Sequence, residues 1–83
     1  MRLDGKTAIV TGAGGKIGHE IALALAREGA NVVTCDLVCD LAAKTAKDAK
    51  ITGRQALAFK MDVTRSTEVN QMVKKTIEYF GKI

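Results

Sequence analysis

Residues 11–18 read TGAGGKIG, from Thr11 to Gly18, and follow directly on the apolar run Ala8, Ile9, Val10. A glycine-rich turn between a strand and a helix presents unpaired backbone N–H groups, and the positive end of the helix dipole, to an anion beyond the sheet edge. Gly12, Gly15 and Gly18 recur at every third position, and Gly14 adds slack. Such glycines serve a tight turn, a close backbone approach to a pyrophosphate, and close packing of helix on strand. Lys16 interrupts the stretch, but Gly15 supplies the close-approach glycine one position earlier. An ATPase-type phosphate loop is excluded, because it needs Ser or Thr after its Gly-Lys pair and here Lys16 is followed by Ile17. Lys16 reads as a solvent-facing side chain of the first helical turn, with reach to the anion as the alternative.

Working outward, Lys6 to Thr11 (KTAIVT) is a short run rich in β-branched residues, as expected of a strand buried on both faces of a parallel sheet. Ile17, Ile21, Ala24, Leu25 and Glu28 follow helical spacing, and Gly29 stands where a left-handed residue closes a helix. The alternation then recurs. Asn31 to Asp36 (NVVTCD) is a second strand, Asp40 to Ile51 a helix with Gly53 just beyond it, and Ala56 to Met61 (ALAFKM) a third strand. Val69, Met72, Val73, Thr76, Ile77 and Phe80 form an amphipathic stripe. That stripe predicts a helix over Arg65 to Phe80, with Thr64 available as its cap and Glu68 in its first turn.

Strands alternating with helices through short loops imply right-handed crossovers and a parallel sheet. The expected fold class is therefore α/β: a βαβαβα unit with a three-stranded parallel sheet, half of a doubly wound fold. The first two helices are expected on one face of the sheet. The last helix is expected to lead toward a further strand beside strand one, outside these residues.

The chain has 83 residues, enough for one small domain with a marginal core. Its composition, 47% hydrophobic and 27% charged with no proline, excludes a disordered chain. The net charge of +4 arises from Lys and Arg spread along the chain, and three aromatic residues offer little for stacking bases, so no nucleic-acid partner is expected. Cys35 and Cys39 match neither redox-pair spacing nor a zinc set, and are expected as buried or half-buried free thiols. The start MRLDGK carries charges where a secretory signal needs an apolar stretch, and no run is long enough to span a membrane. A cytoplasmic location follows as the expectation. His19, the single histidine, falls in a first helical turn with no apparent carboxylate or thiol partner, and reads as a surface residue.

Eighteen residues after Gly18 comes Asp36, at the end of the second predicted strand. A carboxylate there can accept both hydroxyls of an adenosine ribose and repels a 2'-phosphate, which favours NAD over NADP. The alternative is that Asp36 ends a strand or caps the next helix. Asp62, at the end of strand three, is placed to meet an adenine or to act as a cap.

The segments DGKTAIVTGAGGKIG, EGANVVTCDL, FKMDVT and YFGKI, in this order, resemble the amino-terminal half of a short-chain dehydrogenase/reductase, and the likeness runs over essentially the whole chain. The family's usual loop, TGxxxGxG, has glycine where Lys16 stands; the spacing here is that of TGxxGxxG. The resemblance implies a partial Rossmann fold, with residues 1–83 as a single incomplete dinucleotide-binding domain. It implies NAD as cofactor, with Gly12, Gly15, Ile17 and Gly18 at the pyrophosphate and Lys16 beside them, Asp36 and Leu37 at the ribose, and Asp62 and Val63 at the adenine. The family's catalytic Ser, Tyr and Lys lie further on, so residues 1–83 alone are expected to be inactive. Tyr79 is no substitute, since Ile83 stands four residues after it and Lys82 three, and its expected role is packing. Three other readings remain open from sequence: a non-catalytic nucleotide-binding or assembly module completed by another chain or by self-association, a nucleotide-type domain of methyltransferase kind, and, last, a nucleic-acid role.

Overall fold

The β-branched run after Lys6 forms the first strand, β1 (Thr7–Thr11), and the chain then alternates through α1 (Lys16–Arg27), β2 (Asn31–Asp36), α2 (Cys39–Lys50), β3 (Ala56–Lys60) and α3 (Ser66–Phe80). The structure is a computed structural model and describes residues 3–12, 15–51, 53–81 and 83; Gly14 and Lys82 lie outside the described residues. The sheet is parallel with strand order β1-β2-β3. Its register pairs Thr11 with Cys35 and Cys35 with Phe59. The turns that leave the three strands therefore sit side by side along one edge of the sheet. No helix among the described residues is long and apolar enough to cross a membrane.

Both faces of the sheet are covered, which explains the nearly continuous apolar reading of β2. On one face Val10, Val32 and Ala56 meet Ala22 and Ala26 of α1 and Ala46 and Ala49 of α2. On the other, Val33 and Cys35 meet Met61 and Met72, flanked by Ile9, Leu57, Phe59, Val69, Val73 and Phe80. The first two helices thus share a face, as expected, and α3 takes the opposite one. The buried Thr34 hydroxyl donates to the Ala42 carbonyl at 2.8 Å and ties β2 to α2.

Four local expectations are corrected. The residues at helical spacing in α1 do not share one buried face: Leu25 packs against the core, but Ile17 is 77% and Ile21 48% exposed, and the buried residues are Ala22 and Ala26. Small side chains win that face because they let the helix lie close on the sheet. Second, Thr64 does not cap α3. The N-cap residue is Arg65, no side chain caps it, and the Thr64 amide and hydroxyl both donate to Asp62. Third, Cys39 is exposed at the first position of α2, whereas Cys35 is buried. Fourth, Ile77 in the α3 stripe is 48% exposed, and the buried residues of that helix are Met72 and Thr76.

Gly29 ends α1 with φ +102°, and a Cβ there would lie 2.0 Å from Asp4 Oδ1 and 3.0 Å from the Asp4 amide nitrogen. Only glycine lets the turn before β1 close on the end of α1, where the Leu3 amide donates to the Glu28 carbonyl at 2.7 Å.

Candidate functional site

β1 ends at Thr11, and Gly12 turns the chain with φ +65°, a left-handed conformation that suits glycine. The Gly15 amide donates to the Gly12 carbonyl at 3.1 Å and closes the turn. Gly15 is the N-cap residue of α1 in an extended conformation (φ −75°, ψ 163°), and no side chain caps the helix. The first turn of α1 holds no acidic residue, whereas α2 has Asp40 and α3 has Glu68 at the equivalent place. The positive end of the α1 dipole is thus left without a local counter-charge, a setting suited to an anion. A Cβ on Gly15 would make an ordinary contact, 3.5 Å from the Gly12 carbonyl oxygen, so the fold itself does not require glycine there.

Beside this turn, along the carboxyl edge of the sheet, lies a cleft of about 260 Å³. Gly12, Asp36, Leu37, Asp62 and Val63 line it, with Cys35 and Met61 also contributing to its walls. Five of the nine residues expected at a site therefore converge. Gly15, Lys16, Ile17 and Gly18 do not line the cleft; they form the end of the turn and the start of α1, where Lys16 and Ile17 are exposed and Gly18 is half-buried. The Leu37 and Val63 side chains stand in solvent, 63% and 58% exposed, and supply apolar flanks.

The two carboxylates are held by their own turns. Asp36 Oδ1 accepts the Val38 amide at 3.0 Å, bracing the passage from β2 to α2. Asp62 Oδ1 accepts the Thr64 hydroxyl at 2.6 Å and the Thr64 amide at 2.9 Å. These two hydrogen bonds, with the nearby Arg65 charge, hold the Asp62 carboxyl below the usual carboxylate range. Glu68 Oε1 accepts the Asp62 amide at 3.2 Å, and Arg65 Nε stands 3.7 Å from Glu68 Oε2. Burial pushes the Cys35 thiol up to about 11, leaving it protonated and unreactive at neutral pH. Carboxylates between apolar flanks accept hydrogen bonds from hydroxyl or amino groups, and the start of α1 attracts an anion.

The sequence reading missed the supports. Thr64 and Glu68 fix the turn after β3, and the short spacings Asp62-x-Thr64 and Thr64 to Glu68 were the available signal. His19 is not the unpartnered surface residue expected from sequence: it is half-buried, and its Nε2 lies 2.8 Å from Asp48 Oδ2 on α2. Its place three residues before Ala22 and seven before Ala26 puts it on the packed face of α1. Tyr79 is 59% exposed and stands edge-on to Phe80, with ring centroids 4.8 Å apart. Among the described residues no group of three or more His, Cys, Asp or Glu could hold a metal ion.

The family model described as short chain dehydrogenase matches residues 6–83. The 7alpha-hydroxysteroid dehydrogenase of Escherichia coli is 41% identical over 83 residues, covering 100% of this chain and 32% of the relative. The short chain dehydrogenase/reductase astE of Aspergillus oryzae is 49% identical over 82 residues, 98% of this chain and 31% of the relative. A crystal structure of NAD+-bound xylitol dehydrogenase superposes with a TM-score of 0.95 at 35% identity, over 100% of this chain and 32% of the other. The chain thus spans about a third of the length of the curated relatives it matches.

Proposed function

The chain belongs to the short chain dehydrogenase family, and from that premise we propose that residues 1–83 form the dinucleotide-binding, amino-terminal part of an NAD-dependent oxidoreductase, a single incomplete domain. The observation that carries this reading is the convergence, on one sheet edge, of an uncapped helix start with the carboxylate-lined cleft beside it.

In this reading Gly12 turns the chain and Gly15 clears the approach, so that the amides of Lys16, Ile17 and Gly18 meet the pyrophosphate. Lys16 stays at the solvent side of that turn. Asp36, steadied by the Val38 amide, accepts the adenosine ribose hydroxyls, and Leu37 covers the sugar. Asp62 and Val63 flank the adenine, with the Asp62 carboxylate ionised and aimed by Thr64. The bound cofactor would supply hydride exchange with an alcohol or carbonyl carbon. This segment contributes binding and orientation of the adenosine end, and residues 1–83 alone are inactive.

Fluorescence titration of the full-length protein with NADH and NADPH tests the reading. The wild-type protein is expected to bind NADH at least about tenfold more tightly than NADPH, because a 2'-phosphate meets the Asp36 charge. Asp36→Asn keeps an acceptor for Val38 while removing that charge, and should collapse the ratio toward one. Equal binding of the two by the wild-type protein, or tighter binding of S-adenosylmethionine, overturns the assignment.

A further inference from the structure

We infer that His19 and Asp48 are positioning residues for the anion-binding turn, an inference that rests on the dinucleotide reading given above. The start of α1 has little else to hold it. It follows a glycine-rich turn, which has much conformational freedom to lose, and it has no side-chain cap. Lys16 and Ile17 are exposed and Gly18 has no side chain, so His19 is the first side chain of the helix that reaches another element. It does so at 2.8 Å, from Nε2 to Asp48 Oδ2, across 29 residues of sequence.

Asp48 is acceptor-only, so the hydrogen of this bond sits on His19 Nε2, whether or not Nδ1 also carries one. Glu20 Oε1 lies 3.8 Å from Nδ1, too far for a hydrogen bond, which leaves Asp48 as the partner that sets the ring. His19 stands in the first turn of α1, an end that acidic residues suit, and Asp48 in the last turn of α2, an end that basic residues suit. Neither position favours its residue locally, and the bond between them is what the placement gains. On the backbone side, the His19 amide donates to the Gly15 carbonyl at 2.8 Å, and the Gly15 amide in turn donates to Gly12. A continuous chain of hydrogen bonds thus runs from α2 through the His19 ring and the first turn of α1 to Gly12, at the mouth of the cleft. Amides that must converge on a pyrophosphate gain affinity from being held in place before the ligand arrives.

The test compares two ligands in the full-length protein: NADH, which contains the pyrophosphate, and adenosine, which carries no phosphate and engages only the ribose and adenine positions. Asp48→Ala is expected to weaken NADH binding roughly five- to tenfold, the worth of one charge-assisted hydrogen bond, while adenosine affinity changes less than about twofold. Asp48→Asn retains an acceptor for Nε2–H and should restore NADH affinity to within about twofold of wild type. Should Asp48→Ala fail to fold, His19→Ala takes its place with the same expected loss, and His19→Gln, whose amide can donate to Asp48, is its conservative counterpart. Unchanged NADH affinity in Asp48→Ala, equal losses for both ligands, or failure of both conservative variants to rescue would overturn the inference. If the wild-type protein binds adenosine and NADH equally, or neither, the dinucleotide reading itself falls, and the positioning role with it.

Discussion

Asp62 Oδ1 accepts two hydrogen bonds from one residue, Thr64, through its hydroxyl at 2.6 Å and its amide at 2.9 Å. This closes the turn after β3 and favours the ionised carboxylate. The folded-state pKa of Asp62 is thereby lowered from the ordinary value of 3.8. Stability from this contact is fully present above that value and is lost as pH falls through the lower, folded-state one. Thr64→Val removes the larger of the two causes and leaves the amide bond. The Asp62 titration, followed by the carboxyl-carbon NMR shift, should move up toward 3.8; a titration curve identical to wild type would show that the hydroxyl contributes nothing.

Gly15 separates what the fold needs from what a ligand needs. Its extended backbone suits any good N-cap residue, and a Cβ would meet only the Gly12 carbonyl oxygen at 3.5 Å. Gly15→Ser should therefore leave unfolding free energy within about 0.5 kcal/mol of wild type. On the proposed function the same side chain would stand where the pyrophosphate approaches, and NADH binding should fall at least about tenfold, the loss of one well-placed contact. Chemical denaturation and NADH titration of the same preparation check both halves, and intact affinity would remove Gly15 from the site.

Gly29 is under the opposite constraint. Its φ of +102° and the Asp4 backbone 3.0 Å from a Cβ combine conformational strain with a clash. Gly29→Ala should destabilise the protein by about 2–4 kcal/mol. Thermal unfolding measures this, and a cost below that of a simple surface substitution would mean that the turn before β1 moves away freely.

The two thiols differ in reach. Cys39 is exposed and Cys35 is buried, with its thiol raised to about 11 by burial. A maleimide reagent at neutral pH should modify Cys39 in the native protein and Cys35 only after unfolding. Peptide mapping by mass spectrometry distinguishes the sites, and native-state labelling at Cys35 would show that the cleft wall opens.

Strand boundaries were legible because alternation and β-branched content mark them locally; β2 spans Asn31–Asp36 in both readings. So were the places of Asp36, the last residue of β2, and Asp62, in the turn just after β3, since parallel strands bring their carboxyl ends to one edge. The buried face of α1 was not legible, for a physical reason. Ile17 and Ile21 follow the helical period, but Ala22 and Ala26 allow the closer approach to the sheet, and local spacing does not reveal how close two elements will lie. The His19–Asp48 bond depends on how α1 and α2 come together, and nothing near His19 in the chain announces a residue 29 positions away. Thr64 was assigned to α3 on its residue type, yet its hydrogens go backward to Asp62, where an ionised acceptor outbids a helix end.

The order β1-β2-β3 makes the sheet a ruler. Neighbouring strands in any sheet lie about 4.8 Å apart, so the three turns at its edge are pitched at that interval and span about 10 Å from first to last. On the function proposed above, an elongated dinucleotide would lie across them in chain order, with charge at the first mark, sugar at the second and base at the third. Substitutions in the turns can alter what each mark recognises, but the interval belongs to the backbone hydrogen bonds.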